Sequence, residues 1–121
     1  MTQRTVLVVD DDEAIRLLCR VNLELGGHRV VEAVTLADAA LALGEGAPDV
    51  VLLDVNVGTG DGLAFLAHVR AQRPTACVVL LTGSSELETL RDARPDAILR
   101  KPFDLDELLS VVADLGARTG V

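Results

Sequence analysis

The chain of 121 residues carries a net charge of −8; it is long enough to bury the core of one domain and has the wrong sign of charge for gripping nucleic acid or an anionic membrane surface. The expectation is one domain over residues 1–121, with its core from about residue 4 to residue 116 and 117–121 as a tail or linker stub. No apolar run reaches bilayer length and the start MTQRT lacks the apolar segment of a secretion signal, so a cytoplasmic protein without membrane insertion is expected.

Along the chain, short β-branched runs alternate with segments of helical period, the pattern of a parallel sheet covered by helices on both faces. The predicted strands are Thr5 to Val9, Arg29 to Ala33, Val50 to Leu53, Cys77 to Leu81 and Ala97 to Leu99. The first, third and fourth are almost continuously apolar and should be central. Between and after them the predicted helices run from Glu13 to Leu25, Thr35 to Leu43 before Gly44, Gly62 to Arg73 before Pro74, Ser85 to Arg94 before Pro95, and Asp104 to Leu115 before Gly116. Thr35 with Asp38, Ser85 with Glu88 and Asp104 with Glu107 each place an acceptor at an N-cap and an acid three residues later. Cys19 and Cys77 lack metal-ligand spacing and companions, and read as buried free thiols.

In an open α/β sheet, ligands bind outside the carboxyl ends of the strands. Here the first strand runs into Asp10-Asp11-Asp12, the third into Asp54, the fourth into Thr82-Gly83 and the fifth into Arg100-Lys101-Pro102. Carboxylates converging at one edge repel each other unless a cation sits among them. A hard divalent ion such as Mg²⁺ suits oxygen ligands and keeps waters that a phosphate oxygen can replace. Lys101, the single Lys among eleven Lys and Arg residues, offers a mobile point charge, and Thr82 a small hydroxyl donor. Asp54, at the end of a rigid strand and followed by a glycine-rich loop, is a candidate nucleophile for phosphoryl transfer to an aspartate. Asp12 is open between capping the first helix and standing in the outer shell of a metal, whereas Asp61 reads as the cap of the third helix. His28 and His68 lie off the active edge.

Four motifs in order, each after a predicted strand, resemble the receiver domains of two-component response regulators: VLVVDDDEAIR, DVNVGTGDG, VVLLTG and LRKPFDLDELL. The similarity covers nearly the whole chain. It implies a doubly wound, flavodoxin-like (βα)5 α/β sandwich with strand order 2-1-3-4-5. By position it implies Asp54 as phosphoacceptor, Asp11 as direct metal ligand, Asp10 as ligand through water and Asn56 as donor of its backbone carbonyl to Mg²⁺ or Mn²⁺. Thr82 would be the switch hydroxyl and Lys101 the partner of the phosphoryl group. The donor would be a histidine kinase or histidine phosphotransfer protein, and the output an altered contact with a downstream protein or passage along a phosphorelay, with no direct role for nucleic acid. Catalysis would be confined to the domain's own phosphorylation and dephosphorylation.

Two positions and one segment length depart from the family pattern. Ile98 stands where many members carry Tyr or Phe, and the chain has no Tyr or Trp, so an aromatic switch there is impossible. The span from Thr82 to Lys101 is about one helical turn shorter than usual, which predicts a short or distorted fourth helix. Gly58 replaces a frequent Pro and gives VGTGDG extra backbone freedom. Two other functions fit parts of the pattern. A haloacid-dehalogenase-type phosphatase also uses a strand-end Asp, Mg²⁺ and Lys, but normally has a second Asp where this chain has Asn56. A flavodoxin-like or dinucleotide-binding module needs glycines after the first strand, where Asp10-Asp11-Asp12 would repel its phosphate. An inert receiver kept as a scaffold is a further alternative.

Overall fold

In a computed structural model, residues 3–58, 60–83 and 87–119 are described, the side chains of 116–119 excepted. Five strands, β1 (Thr5–Val9), β2 (Arg29–Ala33), β3 (Val50–Asp54), β4 (Cys77–Thr82) and β5 (Ala97–Arg100), alternate with five helices, α1 (Glu13–Leu25), α2 (Leu36–Gly46), α3 (Gly62–Gln72), α4 (Leu87–Asp92) and α5 (Leu105–Thr119). All pairings are parallel and the order is β2-β1-β3-β4-β5. The apolar runs occupy the middle of the sheet because only there are both faces of a strand covered. β3 and β4 are buried along their whole length, whereas the edge strands β2 and β5 are partly exposed.

Alternation along the strands divides the core in two. Leu7, Val9, Val51, Leu53, Val78 and Leu80 face α2, α3 and α4 through Ala39, Leu43, Phe65, Leu66, Val69 and Leu90. Val6, Val8, Val50, Leu52, Val79 and Leu81 face α1 and α5 through Cys19, Leu23, Leu108, Val112 and Leu115. Both cysteines are buried and neither is in a disulfide, as expected. Asn22, which interrupts the apolar stripe of α1, turns its amide onto its own helix and donates to the Leu18 carbonyl at 2.8 Å.

Local capping holds where predicted. Thr35 accepts from the Asp38 N–H at 3.0 Å and Asp104 from the Glu107 N–H at 2.8 Å, each satisfying a donor that the first helical turn leaves unpaired. The Ser85 cap lies outside the described residues. The predicted ends of α2 and α5 are corrected. α2 continues past Gly44 to Gly46 because the Arg73 guanidinium, reaching over from the end of α3, donates to the Leu43 and Gly44 carbonyls at 3.2 Å each. The helix stops instead at Ala47, in the left-handed region with φ 43°, just before Pro48. α5 continues through Gly116 to Thr119, since glycine costs a helix only about 1 kcal/mol and Ala117 and Arg118 are good helix formers. Among the described residues α4 covers Leu87–Asp92 and ends two residues before the expected Arg94, which has φ 55°, in keeping with the shortened segment before Lys101.

Candidate functional site

Register brings the strand ends into one row. Val9 pairs with Leu53, and Asp54 with Leu81, so Asp10 follows β1 beside the end of β3. Thr82 pairs with Arg100, which places Lys101 one step beyond the end of β4. The two-residue period assigns Asp10, Asp54 and Lys101 to the same face as Val8, Leu52 and Leu99, the side covered by α1 and α5.

Asp10 is fully buried. One of its oxygens accepts from the Asp12 N–H at 2.9 Å and the other from Lys101 Nζ at 2.8 Å. Its peptide is held as well: the N–H donates to the Ala33 carbonyl at 3.2 Å, and the carbonyl accepts from Arg16 Nη1 at 2.8 Å. Arg16 is itself fixed by Glu32, 3.3 Å from its Nε. This Arg16 and Glu32 clamp is a part of the site that the sequence did not point to. Arg16 is one of many arginines, and only the fold lays α1 against β2.

Asp54 is buried at the end of β3. Its Oδ1 accepts from the Asn56 N–H at 3.3 Å and lies 3.6 Å from Lys101 Nζ. Asp11 is exposed, and its Oδ2 accepts from the Gly58 N–H at 3.0 Å. One oxygen each from Asp10, Asp11 and Asp54 lie within 4.8 Å of one another. Thr82 is buried at the end of β4, and its carbonyl accepts from the Lys101 N–H at 2.7 Å. Asp12 is the N-cap of α1, its Oδ1 accepting from the Ala14 N–H at 2.9 Å. Asp61 caps α3 through the N–H groups of Leu63 and Ala64. Ser84 lies outside the described residues.

The electrostatics follow from burial and crowding. Burial pushes the Asp54 carboxyl above its ordinary range, repulsion from Asp10 and Asp11 adds to this, and the Lys101 ammonium and the Asn56 N–H work against it. For Lys101, burial alone would favour the neutral amine. The hydrogen bond to Asp10 and the charges of Asp10 and Asp54 outweigh it, so its pKa rises. Three carboxylates therefore face one ammonium, an excess of two negative charges among oxygen donors close enough to share an ion. That donor set fits a hard divalent cation.

Residues 6–113 match the response regulator receiver domain. The chain belongs to this family. It is 38% identical over 105 residues to the KDP operon transcriptional regulatory protein KdpE of Escherichia coli, covering 85% of this chain and 47% of that protein. It is 35% identical over 120 residues to the DNA-binding dual master transcriptional regulator RpaA of Synechocystis, covering 94% of this chain and 49% of that protein. Among solved structures, the chemotaxis response regulator CheY4 of Vibrio cholerae superposes with a TM-score of 0.86 at 27% identity, covering 94% of this chain and 99% of that one. The chain thus spans about half the length of the curated relatives it matches. Receiver domains are phosphorylation-dependent signalling modules of two-component systems, and response regulators take their phosphoryl groups from histidine kinases. The family match favours this function over a haloacid-dehalogenase-type phosphatase. No helix among the described residues is long and apolar enough to cross a membrane.

Proposed function

We propose that this receiver domain accepts a phosphoryl group on Asp54, with Asp10, Asp11, Asp54 and the backbone carbonyl of Asn56 holding Mg²⁺, or Mn²⁺ in its place. The observation that carries the reading is the position of Lys101 Nζ, 2.8 Å from Asp10 and 3.6 Å from Asp54, beside the cluster of three carboxylates. A bound divalent ion would supply positive charge to balance the acids and the phosphoryl oxygens.

The chain's own groups divide the remaining work. Asp54 Oδ1 takes the Asn56 N–H and faces Lys101, which leaves Oδ2 as the attacking oxygen. As its bond to phosphorus forms, the bond from phosphorus to the donor's imidazole nitrogen breaks, and the electron pair returns to the imidazole. Lys101, released from Asp54, pairs with a phosphoryl oxygen, and the Thr82 hydroxyl donates to another. Dephosphorylation is attack by water on phosphorus, with the Asp54 carboxylate as leaving group. The domain turns over no external substrate, because Asn56 stands where a general acid and base would be needed. A histidine kinase or histidine phosphotransfer protein is the donor, and a protein contact or a phosphorelay is the output. The negative charge of the domain makes direct contact with nucleic acid by this unit unfavourable. The receiver domain spans residues 1–121 in this scheme, its core running from about residue 4 to residue 116.

Incubation with Mg²⁺ and acetyl phosphate, followed by intact mass, tests the assignment. A gain of one phosphoryl group that is lost in EDTA and in Asp54→Asn is expected. A gain that persists in Asp54→Asn would move the acceptor elsewhere, and absence of both the gain and Mg²⁺ binding would favour the inert scaffold.

A further inference from the structure

Gly58 lies in the loop between β3 and α3 with φ 58°, and a Cβ added there would meet nothing within 4 Å. Crowding is therefore not why a glycine stands at this position; the left-handed backbone is. That backbone aims the Gly58 N–H at Asp11 Oδ2, 3.0 Å away, across 47 residues of sequence. Asp11 is exposed, and this is the hydrogen bond its carboxylate makes among the described residues. The loop is anchored on both sides of the donor. Val57 is buried in the core under α2 and α3. Gly60 donates to the Val57 carbonyl at 2.8 Å and sits so close to Leu36 of α2 that a Cβ would fall 2.6 Å from its Cδ1.

We infer that Gly58 is a positioning residue of the acidic pocket, its N–H fixing the Asp11 carboxylate so that the second oxygen joins Asp10 and Asp54 around a divalent cation. An exposed carboxylate otherwise samples several rotamers, and ordering it on binding costs affinity. Hydrogen bonds to ligating carboxylates act in this way in metal sites generally. The role rests on the metal assignment proposed above. A proline at position 58 could serve neither purpose, having no N–H and a φ locked near −65°.

Mg²⁺ titrations by calorimetry of wild type, Gly58→Asn and Gly58→Pro test this, with amide spectra of ¹⁵N-labelled protein to verify folding. Asn keeps the N–H and tolerates the left-handed region. Gly58→Pro is expected to weaken Mg²⁺ binding on the order of tenfold, with Gly58→Asn close to wild type. In EDTA, the Gly58 amide resonance is expected downfield in wild type and moved upfield in Asp11→Ala by more than those of its neighbours. Equal affinity in wild type and Gly58→Pro, equal loss in both Gly58 variants, or a Gly58 amide indifferent to Asp11→Ala would each overturn the positioning role and leave the metal assignment standing. A wild-type protein that does not bind Mg²⁺ would overturn that assignment, and the positioning role with it.

Discussion

Lys101 Nζ lies 2.8 Å from Asp10 Oδ2 and 3.6 Å from Asp54 Oδ1, so one ammonium stands between the carboxylates that end two neighbouring parallel strands. Asp10 is fully buried and depends on that cation. Lys101→Met is expected to lower stability by about 3 kcal/mol in EDTA, the cost of leaving a buried charge without its partner. The same variant should gain more stability from added Mg²⁺ than wild type does. Thermal unfolding with and without Mg²⁺ reads both effects, and an unchanged midpoint in EDTA would show that the pair contributes nothing.

Asp54 gives a pH dependence of definite sign. Its carboxyl is raised above the ordinary 3.8, first by burial and then by Asp10. Its contribution to folding is thus fully present below 3.8 and is lost as pH rises through the higher folded-state value. In EDTA at neutral pH, Asp54→Asn should therefore unfold at a higher temperature than wild type, and the gap should close as pH falls below 4. A variant less stable than wild type at neutral pH would mean that Lys101 outweighs burial and repulsion at this carboxylate.

Two glycines should respond in opposite directions to alanine. A Cβ at Gly62 would lie 2.6 Å from the Val55 carbonyl oxygen and 2.8 Å from that of Asp54, both backbone atoms that cannot swing aside. Gly62→Ala should cost about 2 kcal/mol and disturb the end of β3. Gly44, inside α2 with nothing within 4 Å, should gain about 0.5 kcal/mol on the same change. Urea midpoints measure both.

Arg16 holds the Asp10 carbonyl and is paired with Glu32. Arg16→Met leaves that carbonyl without its charged donor, and a loss of about 2 kcal/mol is expected. Chemical denaturation would sink this prediction if Arg16→Met and wild type unfolded together.

Cys19 is pushed up to about 12, first by burial and then by the nearby Asp10. Only the thiolate is nucleophilic. A disulfide reagent at pH 8 should leave Cys19 unmodified in the native protein and titrate it in urea, as mass mapping of the labelled peptide would show.

The sequence by itself determined the strands, their order of burial, most of the caps, and the residues that end each strand at the active edge. These are properties of local period and turn chemistry: Val50 to Leu53 is an unbroken apolar run whether or not its neighbours are known, and Asp104 can cap α5 using atoms three residues away. The tertiary structure alone decided what depends on distant segments. α2 runs past Gly44 because Arg73 of another helix satisfies its carbonyls. Asp10 is clamped because β2 brings Glu32 to Arg16. Asp11 is held because the loop after β3 turns the Gly58 N–H toward it. Such contacts join groups 16 to 47 residues apart, and periodicity carries no record of pairings at that range, since they exist only once the sheet has set which strand ends are neighbours.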